Sequence, residues 1–474
     1  MSAIMKTIMS IAAAVLFFAS LGFAEKETPM PKDLPPYGPE KPLAAPSVRS
    51  VKLDNGLTVW LVSKPGFPKV AITVAVRGGF AADPADRPGI SELLCRTIDQ
   101  GTQERNAKQI AQELQAAGGD LNAIPRKDYI AISTAVLASK LEVGVKIVSD
   151  ILQNASFPEA EVTLAKHNLQ DSLRQQESEP AFLAARAMAK VLFGNHPYHV
   201  TAPTLESVGA STTADLRSVY SQRFRPDQTL LVVVGDFDSA RILDMAKANL
   251  GAWKAPAQAP TAAPARPTGT PEHTVFVIPR PDSVQTTLQL GTFGPLRSDP
   301  DYEATVVANA IYGGTFGSRL TTNIREDKGY TYSPFSNLST NQVASILITR
   351  ADVRNAVTGP SLNEIEYELN RVATTSPTEQ ELSRAKRYLV GSQAIRLQSR
   401  NSVAGQLAGV WVDGLPPEEI GNYGQKVAAT TSADVDAAAK KYFPAFHAAI
   451  VAVGEEKVIR EGLAPLGIPI KTLQ

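Results

Sequence analysis

The sequence predicts an α+β chain built as two related halves, and three observations carry that prediction. Leu230–Asp236 reads Leu-Leu-Val-Val-Val-Gly-Asp and Ala448–Glu455 reads Ala-Ala-Ile-Val-Ala-Val-Gly-Glu, two apolar runs of strand length that each end in Gly and an acid. Between them, residues 254–271 are Pro- and Ala-rich with almost no large apolar side chains, the composition of a semi-rigid linker. On both sides of that linker the pattern runs strands, Gly-rich loop, helix, strands, long helix, closing strand, with each closing strand preceded by a basic helix end and an aromatic.

The elements of the first half follow from local chemistry. Val51–Val62 alternates around Asn55-Gly56, a pair suited to a tight hairpin, and predicts two strands. Residues 69–77 predict a third strand, which delivers the chain into Gly78-Gly79. Ile90, Leu93, Leu94 and Ile98 recur at helical spacing, and Glu92, Cys95 and Arg96 are assigned to another shared face of that helix. A second helix is predicted from Asn106, with Ile110 and Leu114 inward, ending at Gly118-Gly119. Tyr129–Val136 is a strand, Ala138–Gln153 an amphipathic helix, and Glu159 to about Glu177 a long helix.

At 474 residues the chain is long enough for several domains, and its composition is that of a soluble globular protein. Lys+Arg and Asp+Glu both number 47, so no overall field favours nucleic acid or an anionic membrane surface, and neither is an expected partner. Lys6, the apolar run Ile8–Phe18 and Gly22-Phe23-Ala24 predict a signal peptide over residues 1–24, cleaved before Glu25. Export to the periplasm, with no stable membrane span after cleavage, is the expected localisation. An extended leader is assigned to 25–47, a first lobe to 48–253 and a second to 272–474. Cys95 is the one cysteine, so no intramolecular disulfide is available and the thiol reads as a small buried hydrophobe.

The helix from Gly89, with Gly101-Thr102 and the ending Gly-Gly-Asp-Leu-Asn-Ala, resembles the insulinase/pitrilysin family of zinc metallopeptidases. The resemblance extends over both halves and implies a clam-like pair of lobes. In active members H-x-x-E-H supplies two zinc ligands and a Glu that activates water; the matching positions here are Glu92, Cys95 and Arg96. A guanidinium has no lone pair to offer a metal. Phe157, Glu159 and Glu161 match the start of the segment carrying the third ligand, but its two later acidic positions fall on Ala165 and Ser172. His196 and His199, in a loop resembling the family's H-P-Y, lack a third ligand at suitable spacing and read as structural.

The second half keeps the family pattern. Gly313–Leu320 followed by Thr321–Gly329 and Tyr330–Ser333 resembles G-G-x-x-x-S-R-L-x-x-x-I-R-x-x-x-G-x-x-Y-S, with Tyr330 standing where many members have an aliphatic residue. The resemblance implies that Arg325 and Tyr332 face substrate, the Arg as a fork of donors and the Tyr as a hydroxyl toward a carbonyl gaining charge. Arg319 is expected to tie the helix start to nearby carbonyls or carboxylates. The chain is therefore expected to be inactive alone, to bind no cofactor and to be the zinc-less subunit of a heterodimer. Its partner would be a zinc-bearing insulinase-family subunit, its substrates peptides. The alternative is a non-proteolytic scaffold or interaction protein that keeps only the fold. Glu92 and Arg96, at i and i+4, are placed to pair across the lost metal face.

Overall fold

A computed structural model describes residues 45–473, so the predicted signal peptide and nearly all of the leader lie outside the described residues. The first lobe carries β1 (Arg49–Lys52), β2 (Thr58–Ser63), β3 (Lys69–Arg77), β4 (Leu121–Pro125), β5 (Tyr129–Leu137) and β6 (Thr229–Gly235), ordered β1-β2-β6-β3-β5-β4. The second carries β7 (Val275–Pro279), β8 (Gln285–Gly294), β9 (Phe335–Ser339), β10 (Ser345–Arg354), β11 (Ala449–Gly454) and β12 (Ile470–Thr472), ordered β12-β7-β11-β8-β10-β9.

The two orders superpose element by element. Each closing strand runs parallel to one neighbour, β6 to β2 and β11 to β7, and antiparallel to the long strand on its other side, β3 or β8. The outer pairs β3/β5, β5/β4, β8/β10 and β10/β9 are antiparallel. Only the far edge differs, where the first lobe adds antiparallel β1 and the second adds parallel β12.

Every residue of β6 and β11 is buried, which explains why both read as unbroken apolar runs. Alternate side chains serve two cores. Leu231 and Val233 face the first lobe's own helices, and Ile450 and Ala452 face the second lobe's. The opposite faces are covered by exchange between lobes. The helix Arg400–Val412 of the second lobe lays Val403, Ala404, Leu407 and Ala408 on Leu230, Val232 and Val234 of β6. The helix Pro180–Phe193 of the first lobe lays Ala184 and Met188 on Ala449, Val451 and Val453 of β11. Gly291 of β8 allows that approach, since a Cβ there would stand 2.5 Å from Met188 Sδ.

Polar contacts lock the same junction. Tyr198, fully buried in the H-P-Y loop, donates to Asp128 Oδ1 at 2.5 Å and accepts from Val343 N–H of the second lobe at 3.2 Å, while Asp128 Oδ2 accepts from Gln342 N–H at 2.9 Å. Arg77 at the end of β3 donates to the carbonyls of Trp411 and Val412 at 2.7 and 3.1 Å and lies over the Trp411 ring. The linker is tied down as it passes: Arg225 donates to the Gln258 carbonyl, and Arg266 pairs with Asp299.

Candidate functional site

The helix Ile90–Thr97 stands where the resemblance puts the metal ligands, and its anchor is a buried ion pair. Arg223 donates to Asp83 Oδ1 through both terminal nitrogens at 3.2 Å and to Ser91 Oγ at 2.5 Å, while Ser91 donates to the same carboxylate. Asp83 and Arg223 side chains are 1% and 8% exposed, so the helix N-terminus is fixed to the rest of the lobe by charge held out of water.

On the outer face of this helix Arg96 Nε donates to Glu92 Oε1 at 2.8 Å, the i, i+4 pair that the sequence places there. Cys95 lies at the covered edge of that face. It is 5% exposed and packed among Leu94, Ile98 and the β-sheet residues of the first core; burial above all, with Glu92 adding to it, pushes its thiol well up. The reading of Cys95 as a small buried hydrophobe is borne out: the apolar arc is wide enough to include position 95.

The helix Glu159–Gln176 packs against it. Ala165 leans on the first core, and Ser172, half-buried, donates back to the Asn168 carbonyl at 2.9 Å. These residues do not fit a zinc ion: one carboxylate is held by a guanidinium, the thiol is sunk in the core, and the hydroxyl is bonded to its own helix. Among the described residues no group of three or more His, Cys, Asp or Glu side chains is placed to hold a metal. His196 is engaged at both ring nitrogens, accepting from Tyr198 N–H at Nδ1 (3.1 Å) and therefore protonated at Nε2, which meets the Ala265 carbonyl at 2.8 Å. His199 Nδ1 faces the His196 carbonyl at 2.9 Å.

The second-lobe residues are built differently. Ser318 caps the short helix Arg319–Thr321, which widens into a π-helix over Thr322–Asp327. A π-turn inserts one residue and re-aims what it carries, and here it carries Arg325. The Arg325 guanidinium lies 4.4 Å from the Phe316 ring centre and 4.6 Å from that of Tyr332, so the ion sits over both aromatic rings. Tyr332 is 77% exposed and Phe316 67%, which excludes core packing as the reason for either ring. Arg325 Nε is 3.2 Å from Glu326, its one ionic partner among the described residues.

Arg319, six residues earlier, has the opposite environment. Its side chain is 5% exposed and grips Glu381 bidentately at 2.7 and 3.0 Å, with further bonds to the carbonyls of Thr375 and Ser376. One motif thus supplies a buried structural arginine and a half-buried one stacked on exposed rings. No hydrogen bond or ion pair joins the Glu92–Arg96 group to the Arg325–Tyr332 group among the described residues. Sequence reasoning missed two participants: Phe316, whose signal is an aromatic inside a Gly-rich loop, and Glu381, whose signal is the Thr378-x-x-Glu381 capping box.

Comparison with known proteins fits this geometry. A family model described as Insulinase (Peptidase family M16) matches residues 58–203, and one described as Peptidase M16 inactive domain matches residues 211–389. The chain belongs to the insulinase family, M16. Among M16 relatives it is 28% identical over 380 residues to an uncharacterized zinc protease of Mycobacterium leprae, covering 79% of this chain and 82% of that one. It is 26% identical over 359 residues to the uncharacterized zinc protease YmxG of Bacillus subtilis, covering 75% and 86%. The fold is similar to a solved M16 inactive domain from Pseudomonas fluorescens, with TM-score 0.81 at 24% identity over 90% of this chain and 100% of that one. A protease from Helicobacter pylori follows with TM-score 0.79 at 19% identity, over 87% and 100%.

Proposed function

We propose that this M16 chain is the zinc-less subunit of an exported heterodimeric peptidase, supplying Arg325 and Tyr332 to an active site whose metal and general base belong to a partner subunit. One contrast carries the reading: at the metal position Glu92 and Arg96 are spent on each other, while the Arg325 guanidinium is stacked on two well-exposed rings, those of Phe316 and Tyr332. The guanidinium stacks on two well-exposed rings next to a π-turn, an arrangement that core packing does not explain.

In such a complex the partner's zinc would supply activated water for peptide-bond hydrolysis. Among the described residues Arg325 makes its one ionic contact at Nε, which leaves its two terminal nitrogens for a substrate carbonyl or carboxylate. Tyr332 offers its hydroxyl to the carbonyl oxygen as negative charge develops there. Export is proposed from the Lys6, Ile8–Phe18 and Gly22–Ala24 pattern.

The test is to mix this chain with a family partner carrying an intact H-x-x-E-H and follow a fluorogenic peptide. Arg325→Ala and Tyr332→Phe are expected to lower turnover of the complex without changing its zinc content. If the chain is inert with and without partner, the scaffold reading replaces this one.

A further inference from the structure

We propose that Phe316 is a positioning residue: its ring, with that of Tyr332, holds the Arg325 guanidinium in a fixed plane with its terminal donors turned to substrate. This deepens the reading given above and rests on it for its catalytic consequence, but not for the contact itself.

The argument starts from cost. A phenylalanine 67% exposed gains little from burial, so its place is set by what it touches, and what it touches is the face of Arg325 at 4.4 Å. The backbone beneath it is pinned. Gly313 and Gly314 donate to the Asn309 carbonyl at 2.9 and 2.7 Å, Thr315 Oγ1 donates to the Ala310 carbonyl at 3.0 Å, and the Gly313 carbonyl accepts from Ser336 N–H at 2.9 Å. Gly313 has no room for a side chain, since a Cβ there would stand 2.8 Å from Ser336 Cβ. The other ring is pinned too, because its neighbour Thr331 donates to the Asp352 carbonyl at 2.8 Å.

Two rings on fixed backbone therefore both contact a long, rotamer-rich side chain whose base rides on a π-turn. Holding an arginine in one orientation costs side-chain entropy, and the two contacts meet that cost before substrate arrives. Removing one ring leaves Arg325 charged and present but free to swing.

The experiment has two arms. In the first, the chain alone is labelled at arginine, and the Arg325 side-chain resonances, assigned with Arg325→Lys, are followed by NMR. Wild type should show ring-current-shifted guanidinium signals and slow rotation about Cζ–Nε. Phe316→Ala should lose much of the shift and rotate faster, Phe316→Tyr should restore both, and Phe316→Leu should not. Unchanged Arg325 signals in Phe316→Ala, with the unfolding midpoint also unchanged, overturn the proposal.

In the second arm the same variants are added to the zinc-bearing partner. Phe316→Ala should lower kcat about two- to five-fold, the range an exposed cation–π contact supports, with KM little changed. A loss seen with Arg325→Ala but not with Phe316→Ala refutes the positioning role and leaves the proposed function standing. If Arg325→Ala itself has no effect on turnover, the proposed function fails, and the first arm alone decides whether Phe316 orders Arg325.

Discussion

Glu381→Gln isolates the charge that holds the buried arginine of the G-S-R-L motif. Glutamine keeps the capping-box acceptor for Thr378 N–H and nearly the same shape, so what is lost is the bidentate ion pair with Arg319. Hydrogen bonds from Arg319, above the other causes, pull the Glu381 carboxyl from 4.5 down to about 2. Part of that depression comes from the Thr378 bonds that glutamine keeps, so the ion pair itself contributes about 2 kcal/mol of stability at neutral pH.

The sign is that of a depressed carboxylate: the contribution is complete above the unfolded pKa and disappears as pH falls through the folded one. Urea unfolding at neutral pH should place the variant about 2 kcal/mol below wild type, and less than half of that gap should remain at about pH 3. Arg319→Lys should not substitute for the native pair, because an ammonium cannot reproduce the fork. A variant within about 0.5 kcal/mol of wild type at neutral pH, or a gap that does not change with pH, would refute the reasoning.

Two other perturbations test the fold and the lost metal position. Leu407→Ala removes a fully buried side chain from the helix that the second lobe lays on β6, and should lower stability by about 2–5 kcal/mol in the same urea experiment; a loss under about 1 kcal/mol would mean that this exchanged helix is not a principal joint between the lobes. Restoring donors with Glu92→His, Arg96→His and Ser172→Glu together should raise bound zinc from none to about one per chain, measured by elemental analysis after dialysis. Zinc remaining at the wild-type level would show that Ser172 is not the counterpart of the third ligand.

Much of this architecture was legible because buried strands leave a simple signature. Leu230–Gly235 and Ala449–Gly454 are apolar at every position, and only a strand covered on both faces permits that. What covers the second face was not legible. The helix Arg400–Val412 buries residues at 403, 404, 407, 408, 410 and 412, too broad a set to mark one face, and its partner strand lies far away in sequence. A stronger sign of duplication was present and overlooked: Thr212-Thr213-Ala214-Asp215 and Thr431-Ser432-Ala433-Asp434 both form capping boxes, each the same distance before Gly235 or Gly454.

At the site, residue spacing placed Glu92 against Arg96 because i and i+4 meet on any helix. The Leu- and Ile-rich helix likewise marked Cys95 as a small buried residue, and it is buried. Spacing also separated Arg319 from Arg325 only by expectation. Their difference is made by Glu381, in a later helix, and by the rings of Phe316 and Tyr332, contacts that no local pattern encodes.

The central claim, that this chain lends Arg325 and Tyr332 to an active site whose metal belongs to another subunit, is met most directly by one reconstitution. Peptidase turnover is measured for this protein alone, for a partner with an intact H-x-x-E-H alone, and for the mixture, using wild type, Arg325→Ala and Tyr332→Phe, with zinc quantified in each sample. The account predicts a metal-free, inert chain that raises the partner's chelator-sensitive turnover, and a loss of about tenfold or more with either variant at constant zinc. Equal turnover with and without this chain, or equal stimulation by wild type and both variants, would contradict it.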